Sequence, residues 1–219
     1  MLFADRTDAG RRLADALLFL KGRPDLLILG VPRGGVVVGA EIARALQAPL
    51  DVVIARKIGA PGNPELAIGA VAADGTTVLD ESLVAQLGVS QDYIEMTTER
   101  ERAEIERRLR AYRGDRPPPE VTGKTAVVAD DGVGTGATTL AAIRSLRKQE
   151  PRELILAVPV GPPDTVEMLS REVDRAVVLS TPEPFWAVGA FYRRFEQTTD
   201  QQVVDLLRET AAETGEMTT

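Results

Sequence analysis

Residues 127–139 read VVADDGVGTGATT, an apolar strand that runs into two adjacent carboxylates, Asp130 and Asp131. A stretch rich in glycine and threonine follows at 134–138, and a helical pattern begins near Thr139. A glycine-rich turn lets backbone N–H groups close around a phosphate, and the N-terminus of the next helix adds partial positive charge. The carboxylates can accept hydrogen bonds from vicinal sugar hydroxyls or hold a divalent cation. The segment therefore predicts a site for a sugar phosphate.

Two other interpretations of this segment stay open at the level of sequence. Asp-Asp-Gly at a strand end is often only a turn, because both residue types favour turns. Gly132, Gly134 and Ala137 also satisfy the dinucleotide fingerprint G-x-G-x-x-A, which would indicate an oxidoreductase. Against the fingerprint, Asp130 and Asp131 would place two negative charges beside the pyrophosphate of a dinucleotide.

The composition excludes several kinds of chemistry. The chain has 219 residues, no cysteine and no histidine. Disulfides, thiolate metal sites, imidazole bases and Ser-His-Asp triads are therefore excluded. A net charge of −7 disfavours a general nucleic-acid binder, and the sequence shows neither a signal-peptide pattern nor a long apolar run. We expect a cytoplasmic protein with no nucleic-acid or membrane partner.

Strand and helix patterns alternate along the chain. Apolar strands are predicted at 26–29, 51–55, 76–79, 125–130, 153–158 and 176–180. Helices are predicted from Asp5 or Thr7, up to Leu46, at 91–113, 138–148 and 163–172, and from Thr198 or Thr199 with Gln201 and Gln202 at capping-box spacing. This alternation favours a parallel sheet with helices on both faces, in one domain over 1–219 with a disordered tail near 214–219.

A second candidate loop, GVPRGG at residues 30–35, follows the first predicted strand. On its own it could be a tight turn between a strand and a helix. Its glycine N–H groups and the guanidinium of Arg33 also match a pyrophosphate. Two phosphate-type loops that each follow a strand would lie at the carboxyl edge of a parallel sheet, where ligands of open α/β sheets bind.

The segment 127–139 resembles the phosphoribosyl pyrophosphate (PRPP) motif of the type I phosphoribosyltransferases. The resemblance implies that family's α/β fold, a mostly parallel sheet flanked by helices with a small hood, and Mg²⁺ as cofactor. It implies that Asp130 and Asp131 contact the ribose hydroxyls and the metal. The other PRPP-binding residues of the motif, of which 134–138 would wrap the 5′-phosphate, are Gly132, Val133, Gly134, Thr135, Gly136, Ala137 and Thr138.

The resemblance extends to a pyrophosphate loop, which in this chain is formed by Arg33, Gly34 and Gly35. By position, the peptide bond before Arg33 corresponds to a non-prolyl cis bond that the family often has. A basic residue near the end of the second strand can reach the pyrophosphate in the family, and Lys57 is a better candidate than Arg56. The alternative is that both are surface cations.

Pro61, Gly62 and Pro64 predict a loop over 57–65, and segment 59–69 falls where the family carries a mobile lid. Such a lid keeps water from the reactive centre. Some purine-type members use an Asp three positions after the acidic pair as general base, whereas this chain has Gly134. Glu65, the acid in the predicted lid, is then the candidate base, and the other candidate catalytic residues are Arg33 and Lys57.

Five of the nine aromatic residues lie between 185 and 195. One interpretation is a small hydrophobic cluster. The other is a hood, at about residues 181–198, in which Phe185, Trp186 or Tyr192 stacks on a planar base. In the family the hood determines the acceptor.

The closest resemblance is to an uncharacterised bacterial group of predicted phosphoribosyltransferases, through VPRGG, RKIGAPGNPELAIGAV and PFWAVGAFYRRF. It implies an enzyme that transfers a phosphoribosyl group from PRPP to a base and releases pyrophosphate. The alternatives are a PRPP-sensing regulatory protein of the same fold and a dinucleotide-dependent oxidoreductase. The expected partners are PRPP and a base acceptor, and a homodimer stays open.

Overall fold

The computed structural model describes residues 1–214, which form eight strands and seven α-helices. The strands are β1 (Leu26–Gly30), β2 (Leu50–Val52), β3 (Ala55–Ala60), β4 (Asn63–Ala72), β5 (Thr77–Leu79), β6 (Thr125–Ala129), β7 (Glu153–Val160) and β8 (Arg175–Ser180). The helices are α1 (Arg6–Ala16), α2 (Gly34–Leu46), α3 (Glu81–Leu87), α4 (Gln91–Arg113), α5 (Ala137–Arg147), α6 (Pro163–Ser170) and α7 (Asp200–Thr214).

Five strands form a parallel sheet in the order β2-β1-β6-β7-β8. β1 and β6 are neighbours, and Gly30 at the end of one lies opposite Ala129 at the end of the other. Both strands are buried along their whole length, which is why they read as continuous apolar runs. Helices cover both faces of this sheet, so the predicted fold class is confirmed.

Alternate strand residues serve two separate cores. Ile28 and Val127 belong to the core shared with α1, α2 and α7, whereas Leu29 and Val128 belong to the core shared with α5 and α6. Burying each such aliphatic side chain contributes about 1.5–3 kcal/mol. The sheet is therefore anchored on both faces, and its carboxyl edge is a rigid base for the loops that follow β1 and β6.

The second sheet is antiparallel and contains β3, β4 and β5 in that order. Residues 57–65, predicted to be a loop, lie instead in the β3–β4 hairpin, whose turn holds Pro61 and Gly62. Gly62 has a φ of 74°, the left-handed conformation that glycine adopts at little cost. Cross-strand backbone hydrogen bonds stabilise this hairpin without any apolar repeat, so the sequence pattern suggested a loop. The Tyr93 hydroxyl of α4 donates to the Gly59 carbonyl at 3.0 Å and anchors β3.

The predicted strand 51–55 is wrong in its extent. The parallel strand ends at Val52, and the chain enters the antiparallel sheet at Ala55. The apolar run continues across this junction because both sheets bury it, which hid the break. As a result Lys57 lies early in β3, not just beyond the end of the second strand.

Helix caps resolve the boundaries that the sequence left open. Asp5 caps α1 with its side chain, and Thr199 forms a capping box with Gln202 at the start of α7. Helix α3 was not predicted, although Asp80 caps its N-terminus and Gly88 ends it in the left-handed conformation.

Nine of the twelve residues from Glu99 to Arg110 in α4 are charged, and not all of them face solvent. Glu104 is bonded to Arg107 and Arg108 within the helix, and these two guanidinium groups lower the pKa of Glu104 to about 2. Glu101 is buried and pairs with Arg56 of β3 at 2.5 Å. The helix therefore supports the antiparallel sheet through a charged contact.

No helix within residues 1–214 combines the length and the apolar character needed to cross a bilayer. Helix α7 includes Thr214, so this residue is not part of the disordered tail that the sequence predicted. The rest of that predicted tail, 215–219, lies outside the described residues.

Candidate active site

Two glycine-containing loops meet at the carboxyl edge of the parallel sheet, one after β1 and one after the neighbouring β6. A Cβ on Gly35 would lie 2.9 Å from the Cα of Asp130, and a Cβ on Gly34 would collide with the Asp131 carboxylate. Only glycine fits at these two positions. The two adjacent glycines therefore let the loop after β1 pack directly on the acidic pair.

The loop after β6 lines a cavity of about 280 Å³ at the N-terminus of α5. Residues 132–138 all line it, together with Asp130 and Thr139. The Thr165 hydroxyl holds the loop by donating to the Gly134 carbonyl at 2.8 Å. An anion in this cavity would lie at the positive end of the α5 dipole, where the first backbone N–H groups of a helix have no intrahelical acceptor.

Asp130 is held by hydrogen bonds within its own segment. Its Oδ1 accepts from the Asp131 amide at 2.8 Å, and its Oδ2 accepts from the Thr139 hydroxyl at 3.3 Å. Burial, and after it the charge of Asp131, raises the pKa of Asp130 well above its ordinary value of 3.8. Carboxyl groups with such a raised pKa are often found at functional sites.

Asp131 has a partner that the sequence did not indicate. Arg6 of α1 donates from Nε to Oδ2 of Asp131 at 2.6 Å, and the two side chains are only 13% and 16% exposed. The two residues are 125 positions apart, and no motif connects them. The Tyr192 hydroxyl donates to the Asp131 carbonyl at 2.6 Å. Asp131 is therefore fixed at both its carboxylate and its backbone.

Arg33, in the loop after β1, is held loosely at the edge of the site. Its Nη1 lies 3.7 Å from Oδ1 of Asp200, beyond hydrogen-bond distance. Tyr112 donates its hydroxyl to the same oxygen at 2.7 Å. Burial, and then the bond to Asp200, raises the pKa of Tyr112 to about 12, so the phenol stays a donor. The peptide bond before Arg33 is cis, as the resemblance implies.

Lys57 and Glu65 lie on the β3–β4 hairpin and pair with each other at 2.8 Å. Glu65 is 89% exposed. The hydrogen bond from Lys57, and then its charge, lowers the pKa of Glu65 below the ordinary value of 4.5. A carboxylate with a lowered pKa is a weaker base, so Glu65 has to separate from Lys57 before it can accept a proton efficiently.

Tyr192 is not exposed as a stacking platform. Its ring is buried, with the Phe3 ring centroid at 5.4 Å on one side and the Phe195 centroid at 4.9 Å on another. Its hydroxyl is bonded to Asp131, as described above. In this arrangement Tyr192 holds the acidic pair, which differs from the base-stacking role expected from the sequence.

The other two aromatic candidates are in different environments. Phe185 stacks on Phe191, with ring centroids 5.2 Å apart. Trp186 is 85% exposed. The adjoining Val188 packs on Gly132, where an added Cβ would lie 2.5 Å from a Val188 methyl group. This segment thus borders the acidic pair, with Trp186 as the aromatic ring that is open to a planar ligand.

The carboxylates of the acidic pair are the oxygen ligands that this site could offer to a Mg²⁺ ion. Both Asp130 oxygens accept hydrogen bonds, and Oδ2 of Asp131 is bonded to Arg6. Among the residues that the structure describes, no group of three or more His, Cys, Asp or Glu is arranged to hold a metal. Mg²⁺ commonly binds to one or two carboxylates plus substrate phosphates. The acidic pair would therefore need further oxygens from a ligand to complete a Mg²⁺ site.

Replacing Gly136 by alanine is expected to destabilise the protein. Gly136 has a φ of 77°, and a Cβ there would lie 2.7 Å from a Thr165 methyl group. Left-handed backbone and overpacking together cost about 2–4 kcal/mol of unfolding free energy. Gly134→Ala is the matched control, because no atom lies within 4 Å of its added Cβ. Urea denaturation and calorimetry of both variants check this, and equal stabilities would contradict it.

Comparison with known proteins identifies the family. The model of the phosphoribosyl transferase domain matches residues 4–192, a range that includes both loops and the hairpin. Two Mycobacterium tuberculosis proteins, from strains CDC 1551 and H37Rv, are each named "Putative phosphoribosyl transferase" and are 44% identical to this chain over 206 residues. The match covers 94% of the chain and 46% of each relative, so the chain spans less than half of their length.

A solved structure shows the same fold over nearly the whole chain. The crystal structure of a Thermus thermophilus protein is 44% identical, covers 95% of this chain and 99% of its own, and superposes with a TM-score of 0.79. These relationships give no support to the regulatory or oxidoreductase alternatives. The parallel sheet, the antiparallel hairpin sheet and the family match agree, and the chain belongs to the phosphoribosyl transferase family, with the type I fold.

Proposed function

We propose that this protein is an enzyme of nucleotide metabolism that transfers the 5-phosphoribosyl group from PRPP to a nitrogenous base and releases pyrophosphate. The observation that carries the proposal is the direct packing of Gly34 and Gly35 on Asp130 and Asp131. It brings two candidate anion-binding loops together at the two carboxylates. PRPP has a phosphate at one end of its ribose, a pyrophosphate at the other and two hydroxyls between, an order of groups that matches these donors and acceptors.

The 5′-phosphate would bind in the cavity at the N-terminus of α5. Backbone N–H groups of 134–138 would donate to its oxygens, and the hydroxyls of Thr135 and Thr138 would add further hydrogen bonds. The ribose hydroxyls would then donate to the carboxylates of Asp130 and Asp131. This binding would fix C1 of the ribose relative to the loop after β1, and such positioning accounts for much of the catalysis in group transfer.

The leaving group would be stabilised by the loop after β1. In the reaction the bond from C1 to the pyrophosphate oxygen breaks, its electron pair leaves with pyrophosphate, and a nitrogen of the base bonds to C1. Arg33, Lys57 and the N-terminus of α2 would stabilise the negative charge that develops. When bound with the substrate, Mg²⁺ neutralises part of the phosphate charge.

The proton lost by the base is assigned to Glu65. The carboxylate is paired with Lys57 at 2.8 Å in the free protein. If Lys57 turns to the pyrophosphate when the hairpin closes, Glu65 loses the contact that lowers its pKa and becomes a stronger base. A single movement would thus supply a cation to the leaving group and a base to the acceptor. Trp186 and Phe185 would supply the stacking surface for a planar base.

Pyrophosphate release tests the proposed activity. Purified protein is mixed with Mg²⁺-PRPP and each of a panel of purine and pyrimidine bases, and both pyrophosphate and the nucleotide are quantified. We expect equal amounts of the two products with at least one base. Tight binding of PRPP without release of pyrophosphate for any base would instead indicate a PRPP-binding protein that does not turn over.

The hairpin tip is expected to become protected when PRPP binds. Residues 61–66 are exposed at the tip of the hairpin, whereas Gly59 and Ala60 are buried in β3, so the amides of the tip should exchange quickly in the free protein. Hydrogen exchange with and without Mg²⁺-PRPP should show slower exchange there in the complex, while the buried amides of β6 serve as the internal control. Unchanged exchange at 61–66 with bound PRPP would remove the assigned role of Glu65.

A further inference from the structure

The Arg6 guanidinium makes three contacts with two different parts of the molecule. Its Nε donates to the Asp131 carboxylate at 2.6 Å. Its Nη1 donates to the Glu196 carbonyl at 2.6 Å, and its central carbon lies 3.8 Å from the centroid of the Phe195 ring. The first contact is with the acidic pair, and the other two are with the segment 191–196. Arg6 therefore bridges the ribose end of the site and the expected hood.

The segment that carries Arg6 is itself bound to the hood by backbone hydrogen bonds. The Phe3 amide donates to the Phe191 carbonyl at 2.8 Å, and the amides of Arg193 and Arg194 donate to the carbonyls of Phe3 and Ala4 at 2.9 and 3.0 Å. Residues 3–6 and 191–196 thus form one unit, here called the hood clasp. Through Arg6 and Tyr192 this unit holds the carboxylate and the carbonyl of the same residue, Asp131.

We propose that Arg6 is a positioning residue that couples the ribose site to the hood, so that binding of PRPP orders the surface to which the acceptor then binds. The proposal rests on the proposed function, because it requires that PRPP binds at Asp131. When ribose hydroxyls bind to this carboxylate, its position changes only if Arg6 moves with it. Because the other hydrogen bond of Arg6 and its contact with an aromatic ring are both with the hood clasp, that movement is transmitted to the hood.

Arginine is suited to this role and lysine is not. The planar guanidinium donates to a carboxylate and a carbonyl at once while its face lies on an aromatic ring, whereas a lysine ammonium acts as a point charge. Arg6→Lys should therefore keep the charge beside Asp131 and lose the contacts with the hood clasp. Arg6→Gln removes the charge as well. The two substitutions separate the effect of charge from that of the bridge.

Trp186 provides a direct readout, because it is the only tryptophan of the chain and lies in the hood. Calorimetry gives the affinity for Mg²⁺-PRPP, and acrylamide quenching of Trp186 fluorescence, with and without Mg²⁺-PRPP, reports the order of the hood. Four proteins are compared: wild type, Arg6→Lys, Arg6→Gln and Arg11→Gln. Arg11 lies on the same helix and pairs with Glu41 at 2.9 Å, away from the acidic pair, so it is the control for loss of an arginine. Melting curves identify a variant that does not fold.

In the wild type and in Arg11→Gln we expect bound PRPP to lower the quenching constant of Trp186 about twofold or more, since ordering reduces access of the quencher. In Arg6→Lys the affinity should stay within about threefold and the response of Trp186 should be lost. In Arg6→Gln the response should also be lost, with an affinity about tenfold lower.

A wild-type response that persists in Arg6→Lys and Arg6→Gln would overturn the proposal, and so would a wild type that binds PRPP with no change at Trp186. A folded Arg6→Lys variant that does not bind PRPP would assign Arg6 to the binding site itself and overturn its coupling role. Absence of PRPP binding to the wild type is seen separately by calorimetry, and it would overturn the proposed function as well.

Discussion

Asp130→Asn should raise the melting temperature of the free protein by several degrees. It should also weaken the binding of Mg²⁺-PRPP about 10- to 100-fold, because a hydrogen bond to a charged group contributes about that much to affinity. The half-buried carboxyl lies beside Asp131, and burial together with that neighbouring charge raises its pKa, so its ionised form is unfavourable in the folded state. Asparagine keeps the shape, can accept from the Asp131 amide and can donate to the Thr139 hydroxyl. It removes only the charge, which the proposed function needs and the free fold does not.

The gain in stability should depend on pH with a defined sign. A carboxyl group whose pKa is raised by folding contributes stability that is present below the pKa of the unfolded chain and is lost as pH rises through the folded pKa. Wild type and Asp130→Asn should therefore melt at similar temperatures near pH 4, about the ordinary pKa of Asp, and diverge as the pH increases. Melting curves from pH 4 to pH 8 measure this, and a difference that is the same at every pH would contradict the assigned cause.

Asp131→Asn is the matched comparison and should shift stability in the opposite direction. It leaves the Arg6 guanidinium, whose side chain is only 13% exposed, without its carboxylate. Breaking a partly buried ion pair by removing one partner costs up to about 3–5 kcal/mol. Both variants should bind PRPP weakly, although one melts above the wild type and the other below it. A lower melting temperature for both variants would show that both carboxylates stabilise the fold, and it would contradict the opposite shifts expected here.

Arg33→Ala should lower kcat about 100- to 1000-fold, the cost of removing one donor aimed at developing charge. Arg33 is positioned in the loop that packs on the acidic pair, and its 3.7 Å distance to Asp200 leaves it free to turn toward a ligand. The structural cost of its loss should be small, because no hydrogen bond of the free fold depends on its guanidinium within the described residues. Steady-state rates of pyrophosphate release measure the effect.

Asp200→Asn provides the control for this prediction. It keeps Arg33 and removes the charge that Arg33 faces in the free protein, so kcat should change by less than about tenfold. Arg33→Lys should fall between the two, since it keeps the charge and loses the planar fork of donors. If Arg33→Ala and Asp200→Asn lowered kcat equally, the effect would lie in the contact between the two side chains and not in the leaving group.

The parallel sheet and its helices could be predicted because the patterns that specify them lie within short segments of the sequence. Continuous apolar strands, intervening amphipathic helices and the glycines after β1 and β6 each lie within a short segment of sequence. The β3–β4 hairpin was not recognised, because cross-strand backbone bonds do not depend on side-chain periodicity and Pro61 and Gly62 indicate only a turn. The break between β2 and β3 was hidden because both sheets bury the apolar residues on either side of it.

In the candidate site, too, the features formed by local sequence could be predicted and the contacts between distant residues could not. The two loops and the acidic pair were visible as motifs, and the structure brings them into contact. The Arg6–Asp131 bond joins residues 125 positions apart, and nothing in the sequence around Arg6 distinguishes it from the other arginines of α1. Likewise, an aromatic cluster at 185–195 could be recognised, but tertiary packing alone decides that Tyr192 is buried and Trp186 exposed.

Calorimetric titration with PRPP, and with ribose 5-phosphate and pyrophosphate as its two halves, tests whether the loops after β1 and β6 form one site for one ligand. We expect Mg²⁺-PRPP to bind much more tightly than ribose 5-phosphate or pyrophosphate, because one molecule engages both loops and the acidic pair. Each half should compete with PRPP at a stoichiometry of about one per chain. An affinity for PRPP no greater than that for ribose 5-phosphate, or halves that do not compete with it, would contradict a site built across the two loops.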